Sequence, residues 1–281
     1  MAHGSIDTFA SPTIKDLRER WWGPEFTEFL TETLKPRPGN RILDVGCGAG
    51  TGEISIGRLH LSQIRLTGID LAFDKVLAAK RETASHNQRA GFAAADACHL
   101  PFRDGVFDST YCVAVLQHVR DVTAAVADFA RVTRAGGRVV AVEPDNATRF
   151  VYSSAPAGVL AFQTSFSFFA ALAGARGDGT DPSIGPKLPA LFAANGIEPI
   201  DVRLFPVSHV QLGAPPDAVW ASRRAAVERA TSQSSHAQVR ALGDQYLQAL
   251  DAYAAEARKA GPSLVEIQHT MLFATVGQKS E

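Results

Sequence analysis

The stretch Arg41-Ile-Leu-Asp-Val-Gly-Cys-Gly-Ala-Gly-Thr-Gly52 constrains this chain more than any other. Ile42, Leu43 and Val45 make an apolar run of strand length, bounded upstream by Pro36, Pro38 and Gly39 and downstream by glycine. That describes a buried strand. Gly46, Gly48, Gly50 and Gly52 then permit a sharp turn, positive φ and a close approach of backbone to a ligand. From Thr51 to His60, Ile54, Ile56 and Leu59 recur at helical spacing. A glycine loop between strand and helix lies outside the carboxyl end of a strand, where open α/β sheets bind nucleotide-like ligands. A dinucleotide fingerprint fails here, because Thr51 or Glu53 stands where its third glycine belongs. A phosphate-cradling loop needs Gly-Lys-Ser/Thr, and the loop has no lysine.

The pattern then repeats. Ile64 to Ile69 reads as a second strand ending in Asp70, at the separation of about twenty residues that lets a carboxylate reach ribose hydroxyls across one β-α-β unit. The plainer reading of Asp70 is a strand-end acid capping the helix that begins near Phe73. A helix over Asp74 to Asn87, strands over Gly91 to Ala95 and Phe107 to Val115, a helix over Val122 to Thr133 and a strand over Arg138 to Val142 follow. Ala135-Gly136-Gly137 reads as the C-cap of that last helix. Short spacers between alternating strands and helices predict a doubly wound parallel sheet.

Asp44-x-Gly46-x-Gly48-x-Gly50, followed in order by Asp70, Asp96 and Leu116-Gln117-His118-Val119, resembles the class I S-adenosylmethionine-dependent methyltransferases. The resemblance covers Arg41 to Asp145 and implies a Rossmann-like α/β fold, a seven-stranded sheet with helical insertions whose seventh strand enters antiparallel. It implies S-adenosylmethionine as cofactor, with Asp44, Gly46, Cys47, Gly48 and Gly50 around its carboxypropyl and ribose parts and Asp70 on the ribose. Leu71 and Ala72 would flank the adenine. Asp96 would accept from the adenine amino group while the Ala97 amide donates to a ring nitrogen. The Leu-x-His-Val segment is similar to that of quinone-biosynthesis methyltransferases, which puts Leu116 at the cofactor and His118 at the edge between cofactor and substrate. His118 and Asp145 are the candidate catalytic groups, with a structural histidine as the plainer alternative for His118.

Residues 1–35 read as an N-terminal helical segment or lid, 36–145 as the cofactor-binding core, 146–187 as a substrate-covering insertion, and 188–281 as the rest of the core with a helical insertion over about 214–262. Trp22, Tyr152, Phe166 and His209 are candidate substrate-binding residues beside His118, although packing explains most of the aromatics equally well. A net charge of -1 argues against a nucleic-acid surface. No apolar run reaches membrane-spanning length, and the first residues lack a signal-peptide core, so a cytoplasmic protein is expected. Cys47, Cys98 and Cys112 form no Cys-x-x-Cys pair and read as reduced and structural, and no metal site is expected. The expected function is methyl transfer to a small, largely apolar molecule, at oxygen or nitrogen. The alternatives are a cofactor-binding protein that transfers no methyl and a tRNA or protein methyltransferase. The late helical insertion would cover the active site or form a homodimer contact.

Overall fold

The computed structural model describes residues 21–57, 64–86, 90–177 and 179–281. The N-terminal lead-in, the end of the first predicted helix at His60, and Asn87 lie outside them. Seven strands form one sheet in the order β3-β2-β1-β4-β5-β7-β6. They are β1 (Arg41–Val45), β2 (Arg65–Asp70), β3 (Ala90–Ala94), β4 (Phe107–Val113), β5 (Thr133–Ser153), β6 (Ile197–Leu212) and β7 (Val265–Lys279). Pairs β1/β2, β1/β4, β2/β3 and β4/β5 are parallel, as the short-spaced alternation predicts. The helices are α1 (Pro24–Leu34), α2 (Thr51–Gly57), α3 (Phe73–Ser85), α4 (Val122–Val132), α5 (Pro156–Arg176), α6 (Leu188–Ala194), α7 (Asp217–Gln233) and α8 (Ala237–Ala260).

The chain divides into two compact units. The larger holds Trp22–Thr148, Gly179–Pro206 and Met271–Glu281. Its parallel strands are apolar on both faces, as strands covered by helices on each side must be. Leu43, Val45, Ile69, Cys112, Val139 and Ala141 point to one face, where Val126 and Phe129 of α4 and Leu188 and Phe192 of α6 cover them. On the other face, Ser109 donates from its hydroxyl to the Leu34 carbonyl at the end of α1 (3.2 Å). α4 begins at an N-cap, the Asp121 carboxylate accepting from the Ala124 amide at 2.8 Å.

The second unit includes Arg149–Asp178 and Val207–Thr270. The helices of both expected insertions, α5 and the pair α7 and α8, fall in it. Its interior is organised around Glu266, fully buried, which accepts two hydrogen bonds from Arg223 (3.0 and 2.8 Å), one from the Tyr253 hydroxyl (2.7 Å) and one from Gln268 (2.8 Å). Burial pushes the Glu266 carboxyl up, but Arg223 and these donors hold it below the usual carboxylate range. Phe168 and Leu172 of α5 pack with Val227, Ala230 and Val239.

Three expectations are corrected. Ala135-Gly136-Gly137 is not a helix cap: the helix stops at Val132, the Thr133 amide donating back to the Phe129 carbonyl, and Thr133 already pairs with Phe107 in the sheet. The register then slips, Ser109 pairing with Arg138, so the glycines form a bulge, with φ +67° at Gly136. The fifth strand also continues beyond Val142 to Ser153, across Pro144. Finally, the sequence does hold a segment long and apolar enough to cross a membrane by length and composition, Pro156–Ala175 in α5. Ser, Thr and Gln interrupt the apolar run there, but no charged residue does.

A Cβ on Gly137 would lie 2.6 Å from Thr133 Cγ2 and 2.7 Å from the Asp108 carbonyl oxygen. Backbone on one side leaves it no room, so Gly137→Ala should lower the free energy of unfolding by about 1–3 kcal/mol in urea titration. Gly174→Ala, whose Cβ meets nothing within 4 Å, should cost nothing comparable.

Candidate active site

The carboxyl ends of β1, β2 and β3 are joined by backbone hydrogen bonds. The amides of Gly46 and Cys47 both donate to the Ile69 carbonyl (2.7 and 2.8 Å), which holds the glycine loop against the end of β2. Gly46, Gly48 and Gly50 have φ of +77°, +54° and +84°, the left-handed region that only glycine enters at little cost. A side chain at Gly46 would collide with Val115, and one at Gly50 would press on Ala79 and Thr83 of α3. At Gly48 a Cβ meets nothing within 4 Å: there the loop borders open space.

Asp70 stands beside that space. Its Oδ2 accepts from the Gly48 amide (3.0 Å), its Oδ1 from the Ala72 amide (2.9 Å), and the Ala95 amide donates to its carbonyl (3.0 Å). One residue thus ties the loop after β1 to the segment after β3. A carboxylate offers about four lone-pair positions, so two backbone donors leave Asp70 able to accept from a ligand diol. Leu71, 69% exposed, is an apolar surface next to it. Asp96 is exposed, its Oδ1 accepting from the Cys98 amide (2.9 Å), and Ala97 is half-buried beside it.

Leu116 and His118 belong to a single 3₁₀ turn after β4, with Leu116 buried and His118 half-buried. Glu143, fully buried on β5, shapes this turn. Its Oε1 accepts from the amides of Val115 and Leu116, each at 2.7 Å, and its Oε2 from that of Gln117 at 3.4 Å. Sequence reasoning did not find that role, because the amides lie 26 to 28 residues away and nothing local marks the acid. Asp145 is buried, with its two oxygens accepting from the Ala147 amide (3.0 Å) and the Thr148 hydroxyl (2.8 Å). Trp22 packs edge-on against Phe26, ring centroids 5.3 Å apart, and its ring closes over Gly52. Tyr152, Phe166 and His209 belong to the other unit, Tyr152 exposed and the other two half-buried.

Beneath the loop lies a feature the sequence did not disclose. Asp44 is buried, its Oδ2 accepting from the buried Tyr111 hydroxyl at 2.8 Å. Glu53, in the first turn of α2, is wholly buried over Gly68, and among the described residues no other residue donates a hydrogen bond to its carboxylate oxygens. Burial pushes the Asp44 carboxyl up to about 7, with the Tyr111 hydrogen bond opposing and the Asp70 charge adding to it. Burial, reinforced by the Asp44 charge, pushes Glu53 well above its usual range. Two buried acids under a glycine loop disfavour a pyrophosphate and favour a ligand carrying positive charge. The open face at Gly48, the Asp70 carboxylate and these two buried acids, which a nearby cation would help to ionise, fit an adenosyl sulfonium.

The pH dependence follows in sign. A carboxyl raised in the folded state keeps a proton that the unfolded chain has released, so its contribution is complete below about pH 3.8 and is lost as pH rises to about 7. Stability of the ligand-free protein should therefore fall between about pH 4 and pH 7. Glu53→Gln should flatten that slope and raise stability at about pH 8 by on the order of 1 kcal/mol, measured by denaturant unfolding across pH.

Residues 43–141 match the family model described as a methyltransferase domain. An O-methyltransferase of Pyrenophora dematioidea is 36% identical over 108 residues, which are 38% of this chain and 40% of that protein. The 27-O-demethylrifamycin SV methyltransferase of Amycolatopsis mediterranei is 33% identical over 139 residues, 49% of this chain and 48% of that one. The chain spans about half the length, or less, of the curated relatives it matches. In fold it is similar to a crystal structure of a methyltransferase-like protein from Bacillus halodurans, with a TM-score of 0.59 at 14% identity, covering 92% of this chain and 100% of that one. The glycine loop, the acids at the ends of β2 and β3 and the strand order agree with these similarities: over residues 43–141 the chain is similar to a methyltransferase domain.

Proposed function

We propose that the protein transfers the methyl group of S-adenosylmethionine to a hydroxyl of a small molecule. The observation that carries this reading is the Asp70 junction, where one carboxylate, gripped by the Gly48 and Ala72 amides, lies beside the open side of a loop that lacks both phosphate-binding fingerprints. The O-methyltransferase relatives, one of them named for a rifamycin acceptor, favour oxygen as the receiving atom.

The cofactor supplies a methyl on a sulfonium, whose departure as a neutral thioether needs no acid. The chain's part is to hold donor and acceptor in line and to keep water out. Asp70 accepts from the ribose hydroxyls, Asp96 and the Ala97 amide take the adenine edge, and Leu71 covers its face. Glycine at Gly48 lets the backbone lie against the ligand. A hydroxyl acceptor has a proton to lose, and in this reading His118 takes it on a ring nitrogen; the turn that carries His118 is fixed by Glu143 through three amides. Asp145, with both oxygens already accepting from Ala147 and Thr148, holds the strand end and is the weaker candidate base.

Asp70→Ala should weaken S-adenosylmethionine binding about 10- to 100-fold by calorimetry, the equivalent of losing hydrogen bonds to a charged acceptor. His118→Gln should leave that affinity within about twofold and lower kcat at least about 10²-fold, read as S-adenosylhomocysteine release with a hydroxylated acceptor. Equal cofactor affinity in Asp70→Ala and wild type would refute the ribose assignment. Unchanged kcat in His118→Gln would refute the base.

A further inference from the structure

β6 ends the sheet, so one of its edges has no neighbouring strand among the described residues. Such an edge presents a row of unpaired backbone donors and acceptors. Its middle reads Ile200-Asp201-Val202-Arg203-Leu204, every residue of it exposed, with Ile200, Val202 and Leu204 at 46%, 41% and 51%. Pro199 and Pro206 flank the segment and lack the amide N–H, which confines unbroken pairing to the residues between them. Asp201 and Arg203 share one face and form an ion pair at 3.1 Å, their side chains 46% and 54% exposed. The Arg203 guanidinium is also held over the Phe29 ring, 5.1 Å from its centroid.

The pattern apolar, acid, apolar, base, apolar is self-complementary. Two copies of a strand related by a twofold axis pair antiparallel, and residues directly opposite each other lie on the same face, their Cβ atoms about 4.5–5.5 Å apart. An axis at Val202 sets Val202 against Val202 of the second copy, Ile200 against Leu204, and Asp201 against Arg203 twice. Moving the axis to Asp201 or to Arg203 opposes like charges, which is destabilising. Among these registers only the one centred on Val202 matches charge with charge and apolar with apolar.

We propose that the protein forms a homodimer through antiparallel pairing of the two β6 edges about Val202, joining the two sheets into one. The occupant of this edge is a second copy of the chain, because the segment complements itself in both charge and hydrophobicity. Asp201 and Arg203 already paired within each strand become an alternating four-charge ladder across the junction.

Sedimentation equilibrium of the full chain should give twice the 30.0 kDa of one chain. Asp201→Arg should give monomer, since Arg would then face Arg203, and Arg203→Glu should also give monomer. Mixing these two variants should restore a dimer containing one of each, because both cross-strand pairs then match. Val202→Cys should form a covalent dimer on mild oxidation where wild type does not. Circular dichroism and S-adenosylmethionine binding of each variant check that it is folded. A monomeric wild type, a dimer that Asp201→Arg leaves intact, or folded single variants that fail to associate on mixing would each overturn the proposal.

Discussion

The candidate site depends on the carboxylate of Asp70 being held by the backbone. Gly48 comes from the loop after β1 and Ala72 from the turn into α3, and the Asp70 carbonyl receives the Ala95 amide from the end of β3. Three chain segments, each at the carboxyl end of a parallel strand, are brought into register by the donors and acceptors of one residue. Hydrogen bonds to a charged acceptor are stronger than neutral ones, so this junction is firm enough to hold a half-buried acid in a fixed direction. The positive φ at Gly48 is what turns its amide toward Asp70 without placing a side chain in the space a ligand would need.

Two buried carboxyls under the loop bias what the site can hold, because a cation placed near them favours their ionised form. Asp44 and Glu53 lie in the sheet–helix layer with Tyr111, and the ligand-free protein keeps them there at a cost expressed in their raised pKa values. A cation bound nearby lowers that cost, and a phosphate raises it. The same two residues therefore lower the stability of the empty protein at neutral pH and discriminate between classes of ligand. Glu143 shows the opposite use of a buried acid. It is satisfied by backbone amides and fixes the turn that carries His118.

Much of this was legible in the chain. The strand before the glycines, the acid twenty-odd residues on and the regular alternation of strand and helix follow from local periodicity, and β1 to β4 stand within two residues of their predicted limits. What stayed hidden depended on contacts far apart in sequence. Gly136 looks the same in a helix cap as in a bulge until Thr133 is seen paired with Phe107. Glu53 looks like an ordinary first-turn acid on α2 until Gly68, a glycine on another strand, is seen to leave room for it beneath the loop. Glu143 looks like a strand-end residue until its amide partners, on a turn belonging to another strand, are in place. The length of α5 was missed because polar but uncharged residues interrupt its apolar run.

The most direct measurement is a calorimetric titration of the protein, at about pH 7, with three compounds: S-adenosylmethionine, its neutral thioether product, and NAD. The account predicts saturable binding of the first two and none of the pyrophosphate-bearing third, with proton release when the sulfonium binds, since a cation near Asp44 and Glu53 lowers their proton affinity. Binding of NAD with no heat from either adenosyl compound would contradict it.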